Sequence, residues 1–103
     1  MDEINQQIAG TILQQLGGKG KLSLMIGAWN INVENNGVSF RFKGSQIANY
    51  LKIVLDPSDT YNLEFVQINS AKGICEEKEK YSMIYCDQLI NTFEEYTGLY
   101  LSL

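Results

Sequence analysis

Few residues in this chain have the type and spacing for acid–base or covalent chemistry. There is no histidine, which removes the side chain that most often serves as general base, triad partner or zinc ligand. Asp56 and Asp59 flank Pro57 and could pair as carboxylates. Asp-Pro-Ser-Asp is sufficient as turn chemistry, however, with Asp favoured at the first position and Pro fixing φ at the second. The stretch GGKGKLS, residues 17–23, has the glycines and lysine of a phosphate-cradling loop. Lys19 is followed by Gly20 where such a loop needs Ser or Thr, and the stretch follows a helical pattern, so it reads as a helix stop and a flexible loop. Cys75 and Cys86 fit no zinc spacing, and no Asp-rich calcium loop occurs. These features predict no catalytic residue, no metal and no cofactor: a protein that binds rather than catalyses.

Binding chemistry is better represented. Lys19, Lys21, Arg41, Lys43 and Lys52, five of the eight basic residues, fall in the first half of the chain and could form a basic patch. Six Tyr and four Phe could provide stacking surfaces for single-stranded nucleic acid. The net charge of −4 and the single Arg weigh against a nucleic-acid partner, because phosphate neutralisation needs clustered cations. An acidic protein is suited instead to a basic protein surface. Phe40, Phe42, Phe65 and Phe93 fall on predicted core faces. Tyr50, Tyr81, Tyr85, Tyr96 and Tyr100 fall at element margins, where Tyr is typical of protein interfaces.

The elements that would position these residues follow from periodicity. Ile4, Ile8, Ile12 and Leu16 recur every four residues, widened by Ala9 and Leu13, and predict a helix over 3–16 capped by Asp2 and stopped by Gly17-Gly18. The apolar run at 22–26 fits a buried strand or a tight connection. Trp29, Ile31 and Val33, then Val38, Phe40 and Phe42, alternate with polar residues around Asn36-Gly37. That pattern predicts a hairpin with positive φ at both turn residues, Val33 opposite Phe40 and Ile31 opposite Phe42. The stretch NYLKIVLDPSDTYNLEFVQI, residues 49–68, predicts a second hairpin, with Leu55 opposite Tyr61, Ile53 opposite Leu63, Leu51 opposite Phe65 and Lys52 paired to Glu64. A short strand near Ile74 leads into the mixed-charge run EEKEK, a solvated edge or helix approach. A helix capped by Ser82 follows, with Cys86, Leu89, Ile90, Phe93 and Thr97 in its apolar arc and Gly98 at its end.

The reading is therefore an α+β fold. A single antiparallel sheet of four to five strands is packed on one face by N- and C-terminal helices, within one domain spanning 1–103. Apolar residues make up 45% and charged residues 19%, the balance of a globular chain. No apolar run reaches the roughly 18 residues of a membrane span. The start, MDEINQQIAG, lacks the basic and apolar regions of a signal peptide, so a cytoplasmic location is expected. There the two cysteines are expected to be free, small and buried.

TILQQLGG (11–18), MIGAWN (25–30), NNGVSFRF (35–42), the 49–68 hairpin and FEEYTGLY (93–100) together resemble a family of small proteins carried by bacteriophages, prophages and other mobile elements. In that family a helix ending in LGG, a TGA-N segment, a Y-x-I-x-L-x-x-x-D-x-Y-x-x-E-F hairpin and a closing YTG-Y recur. The sequence departs from the pattern at Ile26, usually Thr, and over 72–80. The resemblance carries no biochemical activity and no functional residue. It implies a context: a phage-like accessory protein acting inside a bacterial cell.

The expected function is thus binding of a host or phage protein, as in an anti-defence inhibitor, with a single-stranded nucleic-acid module as the alternative. The expected site is the second face of the 49–68 hairpin. Leu51, Ile53, Leu55, Leu63 and Phe65 are committed to the core, while Tyr50, Lys52, Val54, Glu64, Val66 and Ile68 line a face that a two-layer fold has no helix left to cover. That face is expected to meet a second copy, as a homodimer, or the target, unless the tail at 99–103 folds across it.

Overall fold

The computed structural model describes residues 3–101; the expected cap Asp2 lies outside them. Helix α1 spans Glu3–Gln15 and buries Ala9, Ile12 and Leu13. It stops where the sequence predicts. Gly17 and Gly18 take φ of 114° and 93°, and the Gly18 N–H returns to the Leu13 carbonyl at 2.8 Å.

The segment that follows is neither a strand nor a loop. Lys19–Ile26 forms a second helix, α2, ended by Gly27 in the left-handed conformation. Leu22 and Ile26, four residues apart, reach the core, while Leu24 between them is 85% exposed. A short apolar run has no period of its own. The tertiary surface beside it selects helical spacing.

Five strands then form one antiparallel meander in sequence order: β1 (Trp29–Glu34), β2 (Gly37–Arg41), β3 (Tyr50–Leu55), β4 (Tyr61–Asn69) and β5 (Ile74–Ile84). A 3-10 turn at Cys86–Gln88 leads into α3, Leu89–Thr97. All three helices contribute to a core on one face of the sheet, and this two-layer α+β arrangement is the expected one with α2 added.

The β3–β4 hairpin has the expected register throughout: Leu51 lies opposite Phe65, Lys52 opposite Glu64, Ile53 opposite Leu63 and Leu55 opposite Tyr61. Its turn forms as read. The Asp59 N–H bonds the Asp56 carbonyl at 2.9 Å. Asp56 Oδ2 accepts the Ser58 N–H at 3.0 Å and the Ser58 hydroxyl at 2.7 Å. These bonds hold the Asp56 carboxyl below its ordinary pKa.

The β1–β2 hairpin corrects the sequence reading in three respects. Glu34 faces Gly37 and Val33 faces Val38, so the two-residue loop is Asn35-Asn36 and the register is displaced by two from the expected one. A displacement of two keeps every side chain on its face, which is why the apolar alternation could not detect it. Of the two turn residues expected to have positive φ, Asn36 does, at 60°, and Gly37 does not. The Asn36 N–H is held by Asn5 Oδ1 of α1 at 2.9 Å. Gly37 instead sits where a Cβ would lie 2.1 Å from the Ile53 carbonyl oxygen, so close strand approach is its reason. Finally, the register shifts between Trp29 and Asn32, with Asn30 at φ 54°. This bulge turns Trp29 off the face of Ile31 and Val33 and sets it opposite Arg41.

At the other edge, the mixed-charge run belongs to the longest strand of the sheet, the 11-residue β5. Ser82 lies within that strand and caps no helix, and α3 begins only at Leu89. Leu89, Phe93 and Thr97 are buried as expected, with Ile90 packed against them, but Cys86 falls in the 3-10 turn. Both Cys75 and Cys86 are free and exposed, against the expectation of buried thiols. The four Phe side chains are fully or nearly fully buried. Tyr81 and Tyr96 are not marginal: their rings pack on Phe65 at centroid distances of 6.0 and 4.6 Å.

Candidate functional site

The face of the sheet opposite the core carries no helix among the described residues. Adjacent strands place Tyr50 opposite Val66 and Lys52 opposite Glu64, with Ile68 opposite Cys75 at the β5 edge. Tyr50, Lys52, Val54, Glu64, Val66 and Ile68 thus share this open face, and all six are half-buried by their neighbours. The described end of the chain does not cover it. Leu101 is fully buried in the core on the helix side, and its N–H bonds Glu94 Oε2 at 2.8 Å.

The bulge in β1 adds a residue that alternation had assigned to the core. Trp29, 46% exposed, joins the open face. The Arg41 guanidinium lies 4.7 Å from its ring centre, a cation–π distance. Arg41 is opposite Tyr50 on its other side, and its Nη2 donates to Ser70 Oγ at 3.3 Å while its buried Nε has no partner. Trp29, Arg41, Tyr50, Val66 and Ile68 therefore run together across one end of the face. The only local signal for Trp29 was Asn30, a residue type that tolerates positive φ.

The middle of the face is polar. Lys52, Val54, Asn62, Glu64, Lys80 and Ser82 line a shallow depression of about 600 Å³. Lys52 faces Glu64 in register, yet the group that most affects the Glu64 carboxyl is Glu77 of β5, within hydrogen-bonding reach. That contact, with burial and the charge of Glu77, raises the Glu64 pKa, while the same contact lowers that of Glu77. The two carboxyls therefore titrate as a pair, with Glu64, the more buried member, the weaker acid. Glu34 closes over the β2 half of the face and accepts a 2.6 Å hydrogen bond from the buried Ser39 hydroxyl.

Counted over the open face, Arg41, Lys52 and Lys80 stand among Glu34, Glu64 and Glu77, so the face is mixed in charge. The five cations considered for nucleic acid do not form one patch. Arg41 and Lys52 are on the open face, Lys19 and Lys21 are on α2, and Lys43 follows β2 with its N–H bonded to the Ile26 carbonyl. Among the described residues no group of three or more His, Cys, Asp or Glu comes together to hold a metal. No helix among them is long and apolar enough to cross a membrane.

No family model, curated protein or solved structure matches the chain.

Proposed function

We propose that this chain is a non-enzymatic binding protein of phage or mobile-element origin that docks a protein of the bacterial host through its open sheet face, in the manner of an anti-defence inhibitor. The observation that carries the docking reading is the run Trp29, Arg41, Tyr50, Val66 and Ile68 on a face without a helix. Trp, Tyr and Arg are the residue types that dominate interface energetics when a partner desolvates them. Mixed charge around an aromatic centre fits the rim of a protein interface. The phage context rests on the sequence resemblance alone, and the inhibitor role on the small, acidic character of the chain.

A second reading has one observation in its favour. The Trp29–Arg41 stack beside Tyr50 is also chemistry that holds single-stranded bases. The balanced charge of the face weighs against it, because strand binding needs a surplus of cations along the backbone path.

Val54→Lys/Val66→Glu separates the readings without touching the core. Tagged wild type should capture a host protein that the double variant loses. Calorimetry with that purified partner should then show binding weaker by roughly tenfold or more. Equal binding by the variant would remove the open face as the docking site. A salt-sensitive gel shift with single-stranded DNA, abolished by Trp29→Ala and accompanied by no protein partner, would establish the second reading instead.

A further inference from the structure

Strand β5 lies at the edge of the sheet, with no strand beyond it among the described residues. It is 11 residues long, and residues 74–80 are all exposed. Its outer row of backbone N–H and C=O groups is a template for another strand. The charges of Glu76, Glu77, Lys78, Glu79 and Lys80 guard that edge against unrelated strands. Against its own copy, run antiparallel, they are complementary in one register. Glu77 then faces Lys80, Lys78 faces Glu79, and two-fold symmetry repeats both pairs. A slip of one residue sets Lys78 against itself and Glu77 against Glu79. A slip the other way sets Glu79 against itself and Lys78 against Lys80. A slip of two sets Glu76 against Glu79, or in the opposite sense leaves Glu79–Lys80 alone. Like charges directly opposite are unfavourable, so the first register is selected.

The backbone agrees with this register. In a regular strand Glu77 and Lys80, three positions apart, would point to opposite faces and could not be cross-strand neighbours. Here Phe65 pairs with Glu79 and Val66 with Glu77, leaving Lys78 as an inserted residue. That bulge resets the alternation. Glu77, opposite Val66, and Lys80, opposite Glu64, now share the open face, while Glu76, opposite Gln67, and Tyr81, opposite Leu63, share the helix side. The same register brings Cys75 opposite Ser82 of the second copy, both on the open face. The ion pairs within the strand, Lys78–Glu76 and Lys80–Glu77, are solvated, so exchanging them for pairs across the two-fold axis costs little.

We propose that β5 pairs antiparallel with β5 of a second copy of this chain, Glu77 against Lys80 and Lys78 against Glu79, making one continuous sheet whose two open faces lie side by side. The pairing needs no other partner and stands independently of what the open face binds. Sedimentation should show a dimer of the 11.6 kDa chain that weakens as salt rises. Lys78→Glu/Lys80→Glu and Glu77→Lys/Glu79→Lys should each sediment as folded monomers whose cooperative melting no longer depends on protein concentration, and an equimolar mixture should restore the dimer. With Cys86→Ser in the background, Ser82→Cys should give an intermolecular disulfide to Cys75 under mild oxidation, and adding Cys75→Ser should abolish it. The cross-link uses the native charges and tests the register even if a charge variant unfolds. A wild type that stays monomeric at millimolar concentration, a dimer that survives the charge reversals, or failure of the Ser82→Cys variant to cross-link through Cys75 would each overturn the proposal.

Discussion

Glu64 shows how one residue can have a partner that its own strand pair does not predict. In the β3–β4 hairpin its cross-strand neighbour is Lys52, but Glu77 reaches it from the other side and raises its pKa. A carboxyl whose folded pKa is raised contributes most below its unfolded pKa and loses that contribution as pH rises through the folded value. Glu64→Gln keeps a hydrogen-bond donor toward Glu77 and cannot ionise. It should therefore match wild type in acid and exceed it at neutral pH, by a few tenths of a kcal/mol given the solvent screening of so exposed a pair. Thermal melts of both proteins from pH 4 to 8 measure this. A variant less stable at neutral pH would place the interaction with Lys52 above that with Glu77.

At the level of elements, the two hairpins differ in what holds them. The second is fixed by its own turn, through Asp56 and Ser58. The first depends on other elements: Asn5 of α1 binds its turn, and β3 passes against Gly37. The need for glycine at 37 is therefore steric and begins with the first side-chain carbon. Gly37→Ala should cost nearly as much as Gly37→Val, about 1–3 kcal/mol or more, because both place Cβ against the Ile53 carbonyl. Asn36→Gly should be nearly neutral, since Asn36 carries the positive φ and its N–H remains available to Asn5. Urea titrations of the three variants give the comparison. An Ala variant as stable as wild type, with Val costly, would assign the effect to the bulk of the side chain beyond Cβ.

The whole molecule is an asymmetric two-layer body: helices and the chain's final described residues on one side of the sheet, solvent on the other. The two sides should respond differently to substitution. Leu101 lies at the end of the described chain yet is fully buried, so Leu101→Ala should cost about 2–5 kcal/mol. Val54→Lys/Val66→Glu, two substitutions in the middle of the sheet, should shift the melting temperature by only a few degrees at most. Calorimetric scans of both variants test the asymmetry. Collapse of the double variant would mean that the open face is structural, and it would end the docking reading as well.

Sequence by itself determined what depends on near neighbours along the chain. The four-residue spacing of Ile8, Ile12 and Leu16 sets the first helix, and Gly17-Gly18 ends it. The Asp-Pro-Ser-Asp turn, with alternation on both sides, fixes the β3–β4 register to the residue. The same alternation divides Tyr50, Lys52, Val54, Glu64, Val66 and Ile68 from the core, so the candidate face is legible in the sequence. Only the tertiary structure decided what a period cannot express. A bulge breaks alternation, so Trp29 moved to the open face and β5 changed phase at Lys78. A short apolar run has no unique period, so α2 took the helical form that lets Leu22 and Ile26 meet the core. A register displaced by two leaves every face unchanged, so the place of Gly37 was set by the strand beside it. The free edge of β5 is likewise a property of the assembled sheet, because an outermost strand exists only once the others have paired.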